Sequence, residues 1–273
     1  MLFDSHAHIN IETYSDEERL DVIKSIEASD VGYVVDIGFD VTSSELAAYH
    51  ARKYSWCFAA VGIHPHDTKD VTEAKIKQIR DMAKYPGVVA IGEIGLDYHY
   101  NNSPKLEQRK WFRRQLNLAL DLDLPVVIHD RESEGETLQI LEEEGTFDKE
   151  RCAKFERNPV TGKPDARVLL HCYSGDADDA LMLIDKGATI SIAGPVTYKK
   201  SQMLQEVAKR IPLAHMLIET DAPYLAPVPF RGKPNSSPYV IYTAEKIADL
   251  RGVKSKEIED ATCENAKRFY NIK

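Results

Sequence analysis

Two histidines stand two residues apart in the stretch Asp4-Ser5-His6-Ala7-His8, directly after the apolar pair Leu2 and Phe3. On a strand, residues i and i+2 share a face, so both imidazoles would leave the end of a short strand on the same side. Side-by-side imidazoles make a poor core and half of a metal site. Alone, the pair reads equally well as two polar residues at a strand end. The question is whether other strand ends deliver matching ligands. Apolar runs elsewhere end in or carry His64, Glu93, His129, His171 and Asp221. Taken singly, His129 and His171 suit satisfied core histidines, Glu93 a partner for a neighbouring cation, and Asp221 a turn cap. Their common position at strand ends is what those plainer readings explain badly.

The elements that must position these residues alternate without a break. After the first strand, Asp16 to Ser29 has helical spacing, with acidic residues at its start. Val31–Phe39 and Cys57–Ile63 are nearly continuous apolar runs of the kind buried on both faces of a parallel sheet. Further strands are predicted at Val88–Ile94, Pro125–His129, Val168–His171, Ala188–Ala193 and Met216–Thr220, with helical patterns between them. Residues 146–166 form one irregular insertion, placed here beside the mouth of the site, and a Pro-rich loop runs from Pro223 to Pro238. Eight strand-plus-helix units in about 250 residues predict an α/β (β/α)8 TIM barrel occupying residues 1–273 as one domain. A doubly wound open sheet would call for a glycine-rich turn after the first strand, and none is present.

In such a barrel the C-terminal strand ends form the active site. His6, His8, Glu93, His129, His171 and Asp221 are more ligands than one open catalytic zinc uses. Two divalent ions about 3.5–4 Å apart, with a carboxylate between them, fit better. Glu93 is the natural bridge, with His6, His8 and Asp221 on one ion and His129 and His171 on the other. Zinc, manganese and magnesium all remain open. The chemistry expected is attack by an activated water, with Asp221 as general base and Glu93 central to the mechanism.

Composition narrows the setting. The 273 residues are 43% hydrophobic and 29% charged, with a formal net charge of −9, which excludes coating of nucleic acid through a broad basic face. Ions in the site would reverse that sign locally. Cys57, Cys152, Cys172 and Cys263 show no CxxC spacing and read as reduced thiols of a cytoplasmic protein. No signal peptide and no membrane span of about 18 apolar residues is expected.

The stretches DSHAH (4–8), GIHPH (62–66), AIGEIGLDY (90–98), LPVVIHDR (124–131), LLHCYSG (169–175), IETDAPYL (218–225) and RGKPN (231–235) together resemble the TatD-related deoxyribonuclease family of metal-dependent hydrolases. The resemblance spans nearly the whole chain. It implies a barrel, two or more divalent ions and hydrolysis of phosphodiester bonds in DNA, as a 3′–5′ exonuclease on single strands or 3′ ends. No obligate protein partner is implied. It carries metal ligation onto His6, His8, Glu93, His129, His171 and Asp221, phosphate contact onto His64, and a further ion onto Glu219. Arg131, Arg231 and Lys233 are candidates to grip phosphates. Tyr98 and Tyr173 are candidates to stack on a base, while His66, His99 and Asp97 would shape the pocket. The alternative activity is hydrolysis of amides, esters or lactones, as in the wider amidohydrolase group.

Overall fold

The computed structural model describes residues 1–273. Eight parallel strands follow one another around the sheet in chain order: β1 (Leu2–Ala7), β2 (Val31–Ile37), β3 (Cys57–Val61), β4 (Val88–Asp97), β5 (Val126–Arg131), β6 (Val168–Leu170), β7 (Ala188–Ile192) and β8 (Met216–Ile218). The helices are α1 (Asp16–Glu27), α2 (Val41–Lys53), α3 (Glu73–Met82), α4 (Lys105–Asp121), α5 (Glu136–Glu143), α6 (Lys149–Cys152), α7 (Ala177–Lys186), α8 (Gln202–Arg210), α9 (Val240–Arg251) and α10 (Ser255–Tyr270). The fold is the expected (β/α)8 barrel. Between β8 and β1 the closure is made by single contacts rather than a ladder. His8 N–H donates to Ala222 O at 2.8 Å, Asp221 N–H to His6 O at 2.9 Å, and Ser5 Oγ to Ile218 O at 3.0 Å.

Strand alternation divides the apolar residues between two cores. Phe3, Val35, Ile37, Ala60, Ala90, Val127, Leu169 and Leu217 fill the barrel interior. The alanines leave room for Phe269 and Tyr270 of α10, which plug the N-terminal end; the Tyr270 ring stacks on Phe3 at 6.2 Å, and its hydroxyl donates to Ser5 O. The larger core lies between the sheet and the helices. With one end plugged by aromatic rings, only the C-terminal strand ends remain for polar chemistry.

Most strands end one or two residues from the expected boundary, and at α1 and β4 the reason is plain. α1 ends at Glu27, where Ala28 N–H already closes on Ile26 and Lys24 carbonyls. β4 runs on to Asp97 because it keeps pairing with β5, Gly95 against His129 and Asp97 against Arg131. Gly95 makes that approach feasible: its φ is +147°, and a Cβ there would sit 1.9 Å from His129 O.

The insertion at 146–166 does not border the mouth; that expectation is corrected. It joins α5 to the start of β6, and connections from helix to strand lie at the N-terminal end of a parallel barrel. Its anchors are there as well. Arg151 donates to Leu124 O, Asn158 to Ala214 O, and Thr161 Oγ1 meets His215 Nε2 at 2.8 Å. His215 is buried, and burial together with Arg268 and Lys163 lowers its pKa to about 4. Below the ordinary value of 6.5 the unfolded chain takes up a proton that the folded chain refuses until about 4, so stability is lost as pH falls through that window. The expected loss from this residue is about 1–2 kcal/mol by roughly pH 5. His215→Gln should flatten the pH dependence of Tm over this range relative to the unsubstituted protein.

Candidate metal centre

Local structure aims the ligands inward. The β1–β2 pairing shifts register between Asp4 and Ala7; His6 lies within that irregularity and His8 just after it, with their Nε2 atoms 3.2 Å apart. Behind β1, Asp4 is fully buried. Its carboxylate accepts from Thr220 N–H at 2.9 Å and Thr220 Oγ1 at 2.6 Å, while Asn235 donates to the carbonyls of Thr220 and Tyr224. This web locks the segment carrying Asp221, whose φ is +56°, a left-handed conformation costly for most residues and milder for Asp and Asn.

Glu93, on β4, is the centre of the arrangement. Its Oε2 lies 3.4 Å from His6 Nε2 and 3.8 Å from His8 Nε2, and Asp221 Oδ1 lies 3.6 and 3.4 Å from the same two nitrogens. Its Oε1 lies 2.6 Å from both His129 Nδ1 and His171 Nε2, and 3.5 Å from His64 Nε2. The two oxygens of one carboxylate therefore face two separate imidazole sets. The His6 and His171 rings stack between the sets, centroids 4.0 Å apart.

The hydrogen bonds on the outer ring nitrogens decide what each histidine offers. His8 Nδ1 lies 2.9 Å from the Ile37 carbonyl, which can only accept. His8 thus carries its proton there and presents a bare Nε2 to the centre. His171 Nδ1 lies 3.3 Å from Glu219 Oε1 without hydrogen-bond geometry; that oxygen accepts from Cys172 N–H at 2.6 Å. His64 is the opposite of His8. Its Nδ1 accepts from His66 N–H at 3.2 Å, so its Nε2 carries a hydrogen. Burial lowers His64 to about 4, so it is a neutral N–H donor near pH 7 rather than a ligand. Bare nitrogens and carboxylate oxygens converging without protons between them are a donor set for divalent cations, and mixed imidazole–carboxylate ligation suits zinc, manganese or iron.

Without a cation, protons take that role. Burial opposes charge on His8, but Asp221 and Glu93 outweigh it and raise its pKa to about 8. His129 and His171 are raised against burial by Asp97, Glu93 and Glu219. Glu93 is held well below its ordinary value, against burial, by His171, His64 and His129. Metal uptake must expel these protons. Below about pH 8 the apparent metal affinity should therefore fall with pH, roughly tenfold per unit for each proton displaced. Titration calorimetry in two buffers of different ionisation heat should show net proton release at neutral pH.

The centre floors a cavity of about 860 Å³. Arg131 and Lys200 bring positive charge to its wall, Phe39, Met203, Tyr224 and Leu225 an apolar face, and Glu12, Asp67 and Asp130 an acidic rim. Arg131 lies over the Tyr100 ring at 4.7 Å. Several predicted contacts are not in this wall. Tyr98 points outward, its hydroxyl donating to Glu136 at 2.7 Å and its ring under Lys105. Glu93, Gly95 and Asp97 face in, so residue 98 must face out; Tyr100, in the turn that follows the strand, lines the cavity instead. Arg231 stacks on Tyr198 at 4.5 Å, and neither it nor Lys233 lines the cavity. His99 pairs with Glu132 away from the mouth. Tyr173 lines the wall but is buried, its hydroxyl donating to Asp176 O, and acts as packing. Sequence reading missed Tyr100, Tyr224 and Lys200, although the first two fall within or next to motifs it had singled out.

Residues 3–271 match the family described as TatD related DNase. The chain belongs to that family. It is 40% identical over 272 residues to the uncharacterized metal-dependent hydrolase YabD of Bacillus subtilis, with both chains covered in full, and 34% identical to YcfH of Escherichia coli K12, covering 99% of this chain and 96% of the relative. The crystal structure of YJJV, a TatD homolog from Escherichia coli, superposes with a TM-score of 0.85 at 25% identity, over 100% of this chain and 98% of that one. This TatD-family chain is thus a metal-dependent hydrolase, and its converging imidazoles and carboxylates are candidate metal-binding clusters. No helix of this family member is long and apolar enough to cross a membrane.

Proposed function

We propose that the protein is a deoxyribonuclease that hydrolyses phosphodiester bonds at DNA ends with two divalent ions. The observation that carries this reading is the division of Glu93: one oxygen toward His6 and His8, the other toward His129 and His171. Ions held by these residues would supply Lewis acidity toward a phosphate oxygen and lower the pKa of a nearby water. The remaining roles belong to side chains of this chain. Asp221 stays ionised, because His8 and His6 outweigh its burial, and takes the proton of the attacking water. His64 donates a hydrogen bond from Nε2 to a non-bridging phosphate oxygen, where negative charge grows as water adds and the P–O ester bond breaks, and the leaving oxygen takes a proton from solvent at the open mouth. Arg131 and Lys200 hold neighbouring phosphates, and the apolar face receives an unpaired base.

End preference is assigned because the net charge of −9 and the acidic rim disfavour a long duplex lying across the mouth. The same acidic rim favours the second reading, hydrolysis of a small uncharged ester, amide or lactone. End-labelled single- and double-stranded DNA, digested with magnesium, manganese and zinc in turn beside a panel of small esters and amides, separates the two. Stepwise shortening of DNA is expected. Turnover of the panel with no DNA cleavage under any metal would replace the nuclease reading with the second.

A further inference from the structure

Asp97 stands outside both ligand sets, yet it is one of the most constrained side chains in the barrel. It is 1% exposed. A single oxygen, Oδ2, lies 2.9 Å from His66 Nε2 and 3.1 Å from His129 Nε2. The other oxygen accepts from Tyr100 N–H at 2.9 Å. The backbone of Asp97 is clamped on both sides by the buried amide of Gln108, which accepts from Asp97 N–H at 2.9 Å and donates to Asp97 O at 3.0 Å. Gln108 also donates to Ser103 O, and Ser103 Oγ donates to His66 O at 2.6 Å. His66 is thus tied at its ring by Asp97 and at its backbone by Ser103.

An ionised carboxylate only accepts hydrogen bonds, so both imidazoles that touch it must bring an N–H. We infer that Asp97 is a positioning residue that fixes the tautomers of two histidines at once, forcing His129 to offer bare Nδ1 to the metal centre and His66 to offer bare Nδ1 to the mouth. For His129 the inward nitrogen is the one 2.6 Å from Glu93 Oε1. For His66, Nδ1 has no protein partner, and the side chain is 25% exposed on the cavity wall. A bare nitrogen there is an acceptor for a substrate hydroxyl or N–H, next to the donor that His64 supplies. His64 and His66 then form a complementary pair, one giving and one taking a hydrogen bond, set by their outer partners rather than by residue type.

The two-ion part of this inference and the bare Nδ1 of His129, which needs a cation between it and Glu93 Oε1, rest on the proposed function; the His66 tautomer does not. Long-range proton–nitrogen correlation spectra of zinc-loaded protein with nitrogen-15-labelled histidine, assigned with His66→Asn and His129→Asn, should show both rings protonated on Nε2. Either ring carrying its hydrogen on Nδ1 overturns the inference. Asp97→Asn has one carbonyl oxygen and no negative charge: facing it to both rings turns its NH2 against Tyr100 N–H, and facing it to Tyr100 turns the NH2 against both rings. In that variant the second equivalent of zinc should bind 10–100-fold more weakly, the first being unchanged. Second-ion affinity within threefold of the unsubstituted protein, with Tm retained, also overturns it. If Asp97→Asn does not fold, the spectrum of the unsubstituted protein still decides. Uptake of only one zinc by the unsubstituted protein would count against the two-ion reading, while the spectrum continues to judge Asp97.

Discussion

Glu93→Gln is expected to lower kcat/KM on the hydrolysed substrate by on the order of 10³-fold or more, with metal content falling below two ions per chain. The glutamine keeps the length and planarity of the side chain but offers one carbonyl oxygen where two carboxylate oxygens now face separate imidazole pairs. Whichever set meets the NH2 group loses its anionic ligand, and the charge that holds both sets together is gone. Glu93 also counters charge on His129 and His171 in the metal-free protein, so Glu93→Gln should lower their affinity for protons along with that for metal. Metal content by elemental analysis, read beside kcat/KM, tests both halves. A variant with two ions and more than a tenth of the original rate would remove the bridge from the mechanism. A merely structural Glu93 would show lost Tm with chemistry intact in the folded fraction.

The candidate ligand set and its convergence were legible in the sequence because period-2 alternation and strand ends are local signals. His6 and His8 share a face, and each apolar run points at its terminal His, Glu or Asp. The parallel barrel then does the rest: once eight strands run the same way, residues far apart in sequence must meet at one rim. Substrate contacts were less legible, since they lie past the last strand residue. Tyr98 was misread for want of carrying the alternation of Glu93 and Asp97 one residue further. Arg231 sits in a long Pro-rich loop with no periodicity to orient it. The insertion was misplaced although topology fixes it, because a helix-to-strand connection belongs at the end opposite the site. What no pattern could give is the outer hydrogen bonding. That Ile37 O meets His8, or that His66 N–H meets His64, depends on backbone groups whose directions are set only by the folded chain. Those bonds separate His64, an N–H donor, from His8, which turns a bare nitrogen inward as a candidate ligand.

Asp221→Asn is expected to lower kcat by roughly 10²–10⁴-fold, with a much smaller change in KM and with metal retained better than in Glu93→Gln. Asparagine suits the test for a conformational reason. Residue 221 sits at φ +56°, where Asn is among the few residues tolerated, so the loop and its Asp221 N–H to His6 O bond should persist. The amide oxygen can still face His6 and His8, whereas Asp221→Ala would add backbone strain and remove a ligand atom together. What Asn cannot do is accept a proton from water. The split therefore separates ligation from base catalysis at one position: loss of kcat with metal content near that of the unsubstituted protein assigns the proton to Asp221. If the two fall in proportion, Asp221 acts as a ligand and another group takes the proton. If hydrolysis persists at full rate, neither role holds, and the base must be sought on the wall opposite β8, where His66 is the remaining imidazole with a free nitrogen at the mouth.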